Sequence, residues 1–138
     1  LNSVGVNCNA VSNLDSVRAE KMILVNAVGA LSAMEKKTLG ELVSDQKTKN
    51  IIESLIDETY AVLHDEYELA SLEEIKKRFY ETISQVKRHY SSMYQDVLSN
   101  RSTEIEYLNG FIVRLGDKKG IVTSVNEEIY HRFKSLNF

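Results

Sequence analysis

Apolar residues along this chain recur at three- and four-residue steps, the spacing that lines one face of an α-helix. Leu72, Ile75, Phe79, Ile83, Val86 and Tyr90 follow steps of 3, 4, 4, 3 and 4, and Ser71 stands where the cap of that helix belongs. Upstream, Ile52, Leu55, Ile56, Thr59 and Leu63 predict the inward face of a helix over about 47–67. A first long helix is expected over about 16–36, capped by Asp15 or Ser16. It breaks at Thr38-Leu39-Gly40, and a short turn follows through Val43.

In the last third, Ser92 with Gln95, Thr103 with Glu106 and Ser124 with Glu127 are capping-box pairs, which predicts three helix starts. After Thr103, the residues Ile105, Leu108, Ile112 and Leu115 make one buried stripe on a helix running to about Gly116–Gly120, with Gly120 as its stop. Gly110 inside that helix costs roughly 1 kcal/mol relative to Ala, so a close packing or ligand approach is expected there. Val125, Ile129, Phe133 and Leu136 form the apolar face of a closing helix. Residues 1–14, rich in Asn, Ser and small apolar side chains, suit an extended connector. Alternation of the β type is confined at most to the first dozen residues and proline is absent. The expected fold is therefore all-α: a single bundle of five to six helices over 15–138, preceded by a linker remnant over 1–14.

A length of 138 residues is about one domain, enough to bury roughly two-thirds of the unfolded surface. Seventeen basic against 20 acidic residues leave a net charge of −3, and without a basic stripe interleaved with aromatics no nucleic-acid surface is expected. The longest apolar stretch, Met22 to Met34, is broken by Asn26 and Ser32. It falls short of the about 20 residues that a membrane span needs and reads as a core helix. The single Cys8 fits a reducing compartment, and with no secretory leader at Leu1 the expected location is the cytoplasm. His64, His89 and His131 are widely separated and lack metal-ligand spacing. No Gly-x-Gly-x-x-Gly unit, phosphate-cradling loop or nucleophile elbow is visible. Taken alone, these patterns describe a soluble helical domain.

The last third carries more. Ser91-Ser92-Met93-Tyr94-Gln95-Asp96-Val97 is followed by Thr103-Glu104-Ile105-Glu106-Tyr107-Leu108-Asn109-Gly110, then by Gly116…Gly120-Ile121-Val122-Thr123…Asn126. In this register the segment resembles the C-terminal signature of the ketopantoate (2-dehydropantoate 2-) reductase family: S-S-M-x-Q-D-x, T-E-I-D-Y-x-N-G and G-x-x-x-G-I-x-T-P-x-N. Glu106 replaces the usual Asp and Ser124 the usual Pro. Upstream, Lys21 matches the lysine of the family's W-x-K-L, with Ala19 in the aromatic position. Leu31-Ser32-Ala33 and Gly40-Glu41-Leu42 match its L-T/S-A and G-E-L.

The resemblance implies the helical C-terminal domain of a two-domain reductase whose N-terminal Rossmann domain, absent from this sequence, binds NADPH. The implied reaction is hydride delivery to a small 2-oxo acid, ketopantoate to pantoate in pantothenate and coenzyme A biosynthesis. The implied catalytic residues are Lys21 and Glu104. A lysine desolvated beside the ketone oxygen serves as general acid, because burial lowers its pKa toward the working pH. A glutamate at a helix start is held ionised by the helix dipole, so it can accept a hydrogen bond from a substrate hydroxyl or hold the lysine. Ser92 corresponds to the family serine that contacts the substrate carboxylate. Each position also has a bland role: a solvated lysine, a dipole-complementing acid, an N-cap serine. Asn109 and Asn126 belong to the signature but read as structural.

Three further substrate-binding positions depart from the ketopantoate pattern. Family asparagines four and eight residues after the lysine are replaced by Val25 and Gly29, with Asn26 one step off, and a third is His89. A site built to hydrogen-bond its substrate discriminates strongly on such contacts. Beside the ketopantoate reading stand a reductase of a more apolar 2-oxo acid, and a non-catalytic helical module serving in association. A homodimer through this domain is a further expectation. The isolated chain, lacking residues to cradle a pyrophosphate, is expected to be inactive alone.

Overall fold

The computed structural model describes residues 2–138, with side chains from residue 15 onward. Seven α-helices and one 3-10 turn make up the described residues, with no strand among them. The helices are α1 (Asn2–Glu35), α2 (Leu39–Ser44), α3 (Gln46–Leu63), α4 (Leu72–Gln85), α5 (Ser92–Leu98), α6 (Asn109–Lys119) and α7 (Ser124–Ser135), and the 3-10 turn Ile105–Tyr107 precedes α6. The all-α class stands, with more helices than the periodicity predicts; α1 is longer than expected, while α3, α4 and α6 are shorter.

α1 is the central element and packs against α3, α5, α2 and α7. Ile23, Ala27, Ala30, Leu31 and Ala33 of α1 are buried against Ile52, Leu55, Ile56 and Leu63 of α3. The alanines let these helices approach closely, since helix separation follows side-chain size at the contact. α4 contributes Ile75, Phe79 and Ile83 to the same core, and α7 contributes Ile129 and Phe133. Among the described residues no helix is long and apolar enough to cross a membrane.

Four local expectations change. The backbone is helical from Asn2, so the segment expected to be an extended connector forms the start of α1. It contains no proline and only Gly5 as a breaker, and lengthening a nucleated helix costs far less than starting one. The short turn after Thr38 is itself a helix, α2, opened by a Thr38–Glu41 capping box. The apolar stripe of α4 stops before Tyr90, because the helix ends at Gln85 and the chain turns back toward α2. There the carbonyls of Lys87 and His89 accept the N–H groups of Gly40 and Leu39, both at 2.9 Å. Gly40 is required at that contact, since a Cβ would lie 2.6 Å from Lys87 Cβ.

The fourth change concerns the caps of the last third. Thr103 caps nothing; the stripe Ile105, Leu108, Ile112 divides at Leu108 (φ −113°, ψ −102°) into the 3-10 turn and α6. Ser124 does not cap α7 either. Instead the Glu58 carboxylate of α3 accepts the Val125 and Asn126 N–H groups at 2.9 Å each. A neighbouring helix supplies the acceptor that the local pair was expected to provide. Gly120 ends α6 in the left-handed conformation (φ 71°), as the sequence predicts.

Candidate functional site

At about 100° per residue, Lys21, Val25 and Gly29 fan along one flank of α1. The start of α5 is seated on the lower part of that flank. The N-cap of α5 is Ser91, not Ser92: Ser91 Oγ accepts the Tyr94 N–H at 3.1 Å. The same hydroxyl donates to the Gly29 carbonyl at 2.8 Å, while the Ser91 N–H donates to Ser32 Oγ at 3.2 Å. With capping done by its neighbour, Ser92 keeps an exposed hydroxyl on the first residue of α5. Two adjacent serines look equivalent in sequence, and only the buried contact with α1 separates them.

Gly29 is where a family asparagine is expected, and its surroundings are apolar. A Cβ built there would lie 3.5 Å from Met93 Cε and 4.0 Å from Leu108 Cδ1. Val25, half-buried, precedes it by one turn. The flank between Lys21 and Ser92 is therefore apolar where two amide side chains are expected. Met93, Leu108 and Ser91 join it without having been singled out as site residues; Met93 and Ser91 were legible only as members of the signature, and Leu108 only as part of an apolar stripe.

Lys21 stands exposed on the ridge between this flank and a groove of about 240 Å³ shared with α4. Ile23, Leu24, Ile75 and Phe79 line the groove's apolar part. On its rim Arg78 holds both carboxylate oxygens of Glu20, at 3.0 and 3.1 Å, so that neighbouring acid is engaged away from Lys21. The burial expected around Lys21 is not present in this chain, because no described segment covers this end of α1. His89 is also exposed, and its place in the structure comes from its carbonyl bond to Leu39.

Glu104 precedes the 3-10 turn and is exposed, with no side-chain capping bond. The full helix expected to begin beside it is absent, which leaves only a three-residue turn to orient it. Two residues on, the Glu106 carboxylate accepts Tyr130 Oη at 2.7 Å, Lys134 Nζ at 2.8 Å and Arg114 at 3.3 Å. Hydrogen bonds from Lys134 and Tyr130 hold the Glu106 carboxyl below its ordinary range. The structure thus places Val25 and Gly29 on the flank of α1 that receives the start of α5, with Ser92 exposed at that start, while Glu104 stands before the 3-10 turn.

Behind this flank lies a buried polar knot. Asn126 Nδ2 donates to Glu58 at 2.9 Å, which turns Asn126 Oδ1 inward to accept Asn26 Nδ2 at 2.7 Å and Asn109 Nδ2 at 3.0 Å. Asn26 Nδ2 also donates to Thr59 Oγ1 at 3.0 Å. The one-residue offset of Asn26 from Val25 rotates it by about 100°, away from the α5 flank and into the core between α3 and α7. Asn109 and Asn126 are fully buried in this knot.

The model of the family described as ketopantoate reductase PanE/ApbA C terminal matches residues 13–137. The 2-dehydropantoate 2-reductase of Vibrio cholerae is 34% identical over 116 residues, covering 84% of this chain and 39% of that protein. A PanE/ApbA family ketopantoate reductase from Ralstonia eutropha superposes with a TM-score of 0.80 at 28% identity, over 86% of this chain and 40% of the other. A D-mandelate dehydrogenase, solved with NADH and anilino(oxo)acetate, gives a TM-score of 0.79 at 27% identity, over 91% and 55%. The chain thus spans about two-fifths of the length of the reductases it matches. With a family match over nearly its whole length and a core arranged as in solved reductases, this chain belongs to the ketopantoate reductase family, as its helical C-terminal domain.

Proposed function

We propose that this chain is the substrate-binding and proton-donating part of a nicotinamide-dependent 2-oxo acid reductase, with Lys21 as general acid. The observation that supports this reading is the bond from the Ser91 hydroxyl to the Gly29 carbonyl, which seats the start of α5, with the exposed Ser92 next in the chain, against the helix that carries Lys21. Eight residues of helix put Lys21 and Gly29 about 12 Å apart along the axis, a span that a long lysine side chain and a small acid can fill.

The residues of this chain suit the reacting end of such a cofactor rather than its phosphates. Gly110 and Gly116 are packed so that a Cβ would meet Tyr130 at 2.9 Å and Thr123 at 2.7 Å, which leaves neither as an open phosphate cradle. NADPH is therefore assigned mainly to the remainder of the parent protein. When bound, the cofactor supplies a hydride to the carbonyl carbon. The Lys21 ammonium hydrogen-bonds the ketone oxygen and passes it a proton as charge builds there, then regains one from solvent. Ser92 donates to the substrate carboxylate, and Glu104 accepts from a substrate hydroxyl or steadies Lys21. Covering Lys21, so that it is desolvated, falls to the rest of the parent.

A more apolar substrate than ketopantoate is favoured by the loss of two amides: Val25 is apolar and half-buried, and Gly29 is buried beneath Met93 and Leu108, so neither position offers a hydrogen bond to a substrate side chain. The D-mandelate dehydrogenase solved with NADH and anilino(oxo)acetate is matched about as well as the ketopantoate reductase, which makes an aryl 2-oxo acid a substrate to test beside 2-dehydropantoate. The test is NADPH oxidation by the parent protein with 2-dehydropantoate and with benzoylformate. Turnover of either is expected, with benzoylformate preferred; turnover of neither, or full turnover after Lys21→Met, refutes the assignment.

A further inference from the structure

Glu104 is placed by a short piece of backbone with little of its own to hold it. A 3-10 turn of three residues has poor hydrogen-bond geometry, and here it has the Tyr107 N–H to Glu104 carbonyl bond at 2.9 Å and a longer one from Leu108 to Ile105 at 3.4 Å. Burial of Ile105 anchors one side of the turn. The other side is held by Glu106, whose carboxylate gathers Tyr130 and Lys134 from α7 and Arg114 from α6. Arg114 grips the turn twice, since its other terminal nitrogen donates to the Glu106 backbone carbonyl at 2.6 Å. Gly110 belongs to the same assembly: a Cβ there would lie 2.9 Å from Tyr130 Cε1 and 3.1 Å from the Arg114 guanidinium.

We infer that Glu106 is a positioning residue for the proposed reaction, clamping the Glu104 turn to α6 and α7 so that the Glu104 carboxylate is presented in one orientation. This rests on the role proposed for Glu104. The Glu106 carboxylate is taken up by Tyr130, Lys134 and Arg114, so it acts through the turn. Releasing the clamp lets the turn fray, which spreads Glu104 over several orientations and lowers the fraction aligned for reaction.

The test is a double-mutant cycle in the parent reductase, comparing Glu106→Gln in the wild type and in a Glu104→Gln background, with thermal unfolding measured for each. A residue that acts only through Glu104 loses its effect once Glu104 is changed. Glu106→Gln is expected to lower kcat about tenfold in the wild type, with KM for the cofactor unchanged, and to cost less than twofold further in the Glu104→Gln protein. Equal losses in both backgrounds would overturn the positioning role while leaving Glu104 as assigned. Full turnover of Glu104→Gln alone would overturn the Glu104 assignment and the clamp with it. Because Glu106→Gln can weaken folding, Arg114→Met and Lys134→Met provide a second route: the first removes two grips and the second one, each at an exposed site. Each is expected to lower kcat in the same way, and unchanged kcat in both would refute the clamp.

Discussion

The side-chain amide of Asn26 donates to Oδ1 of Asn126 across 2.7 Å, joining α1 to α7 through residues 100 positions apart. Asn126 can accept that bond only because its own amide is engaged by Glu58, which also accepts the first free N–H groups of α7. One carboxylate thereby orients a chain of amides and caps a helix.

The knot is asymmetric, and so are the expected costs. Asn126→Leu strands the Asn109 amide, removes one of the two bonds of the Asn26 amide and leaves it only Thr59, and is expected to cost about 3 kcal/mol. Asn26→Leu removes an amide whose Oδ1 is already without a partner and leaves Asn126 bonded to Asn109, so about 1 kcal/mol is expected. Urea unfolding midpoints of the two variants should differ in that order.

Two helical glycines are expected to respond oppositely to alanine. At Gly110 the new Cβ meets Tyr130, Arg114 and the Ile105 carbonyl at 2.9, 3.1 and 3.2 Å, so overpacking of about 2 kcal/mol outweighs the helix propensity gained. At Gly29 the nearest atom is 3.5 Å away and belongs to a flexible methionine, so Gly29→Ala should gain up to about 1 kcal/mol. Thermal melts followed by circular dichroism decide both.

Ser91 and Ser92 separate structure from function. Ser91→Ala removes a cap and a buried bond to Gly29 and should lower stability by about 1 to 2 kcal/mol. Ser92→Ala should leave stability within about 0.5 kcal/mol. In the parent reductase it should raise KM for the 2-oxo acid about tenfold, the loss of one hydrogen bond.

Lys21→Met is expected to leave the fold intact, because the lysine is exposed, and to reduce kcat of the parent by about 10² to 10⁴, the usual contribution of a general acid. Single-turnover hydride transfer, read from cofactor absorbance, should show the loss directly.

Stability should depend on acid through Glu106. Its carboxyl titrates below the ordinary 4.5 in the folded chain because Lys134 and Tyr130 hydrogen-bond the charged form. The folded state therefore binds this proton less readily than the unfolded one. Its contribution is present above pH 4.5 and is lost as pH falls through the lowered folded value. Unfolding midpoints from pH 7 to 3 should fall less steeply for Glu106→Gln than for the wild type.

Much of the fold was legible because helices that bury one face repeat their apolar residues at the helical period. Ile52, Leu55, Ile56 and Leu63 and the residues Ile75, Phe79 and Ile83 are all buried where that period places them. Candidate site residues were legible only through the order of the signature, and their separate roles were not. Ser91 and Ser92 are neighbours of the same type, and it is the approach of α1 that makes one a buried cap and leaves the other free.

The helical class, the stop at Gly120, the cap at Ser71 and the family can be read along the chain, since each depends on residues close in sequence or on a string in fixed order. Packing between helices is what makes Glu58 cap α7, turns Asn26 into the core, divides the segment after Thr103 at Leu108, and ties Glu106 beside Glu104 to α6 and α7. The reason is physical. A buried hydrogen bond or a missing Cβ takes its value from whatever atom packs opposite, and here those atoms lie on other helices, out of reach of any local pattern.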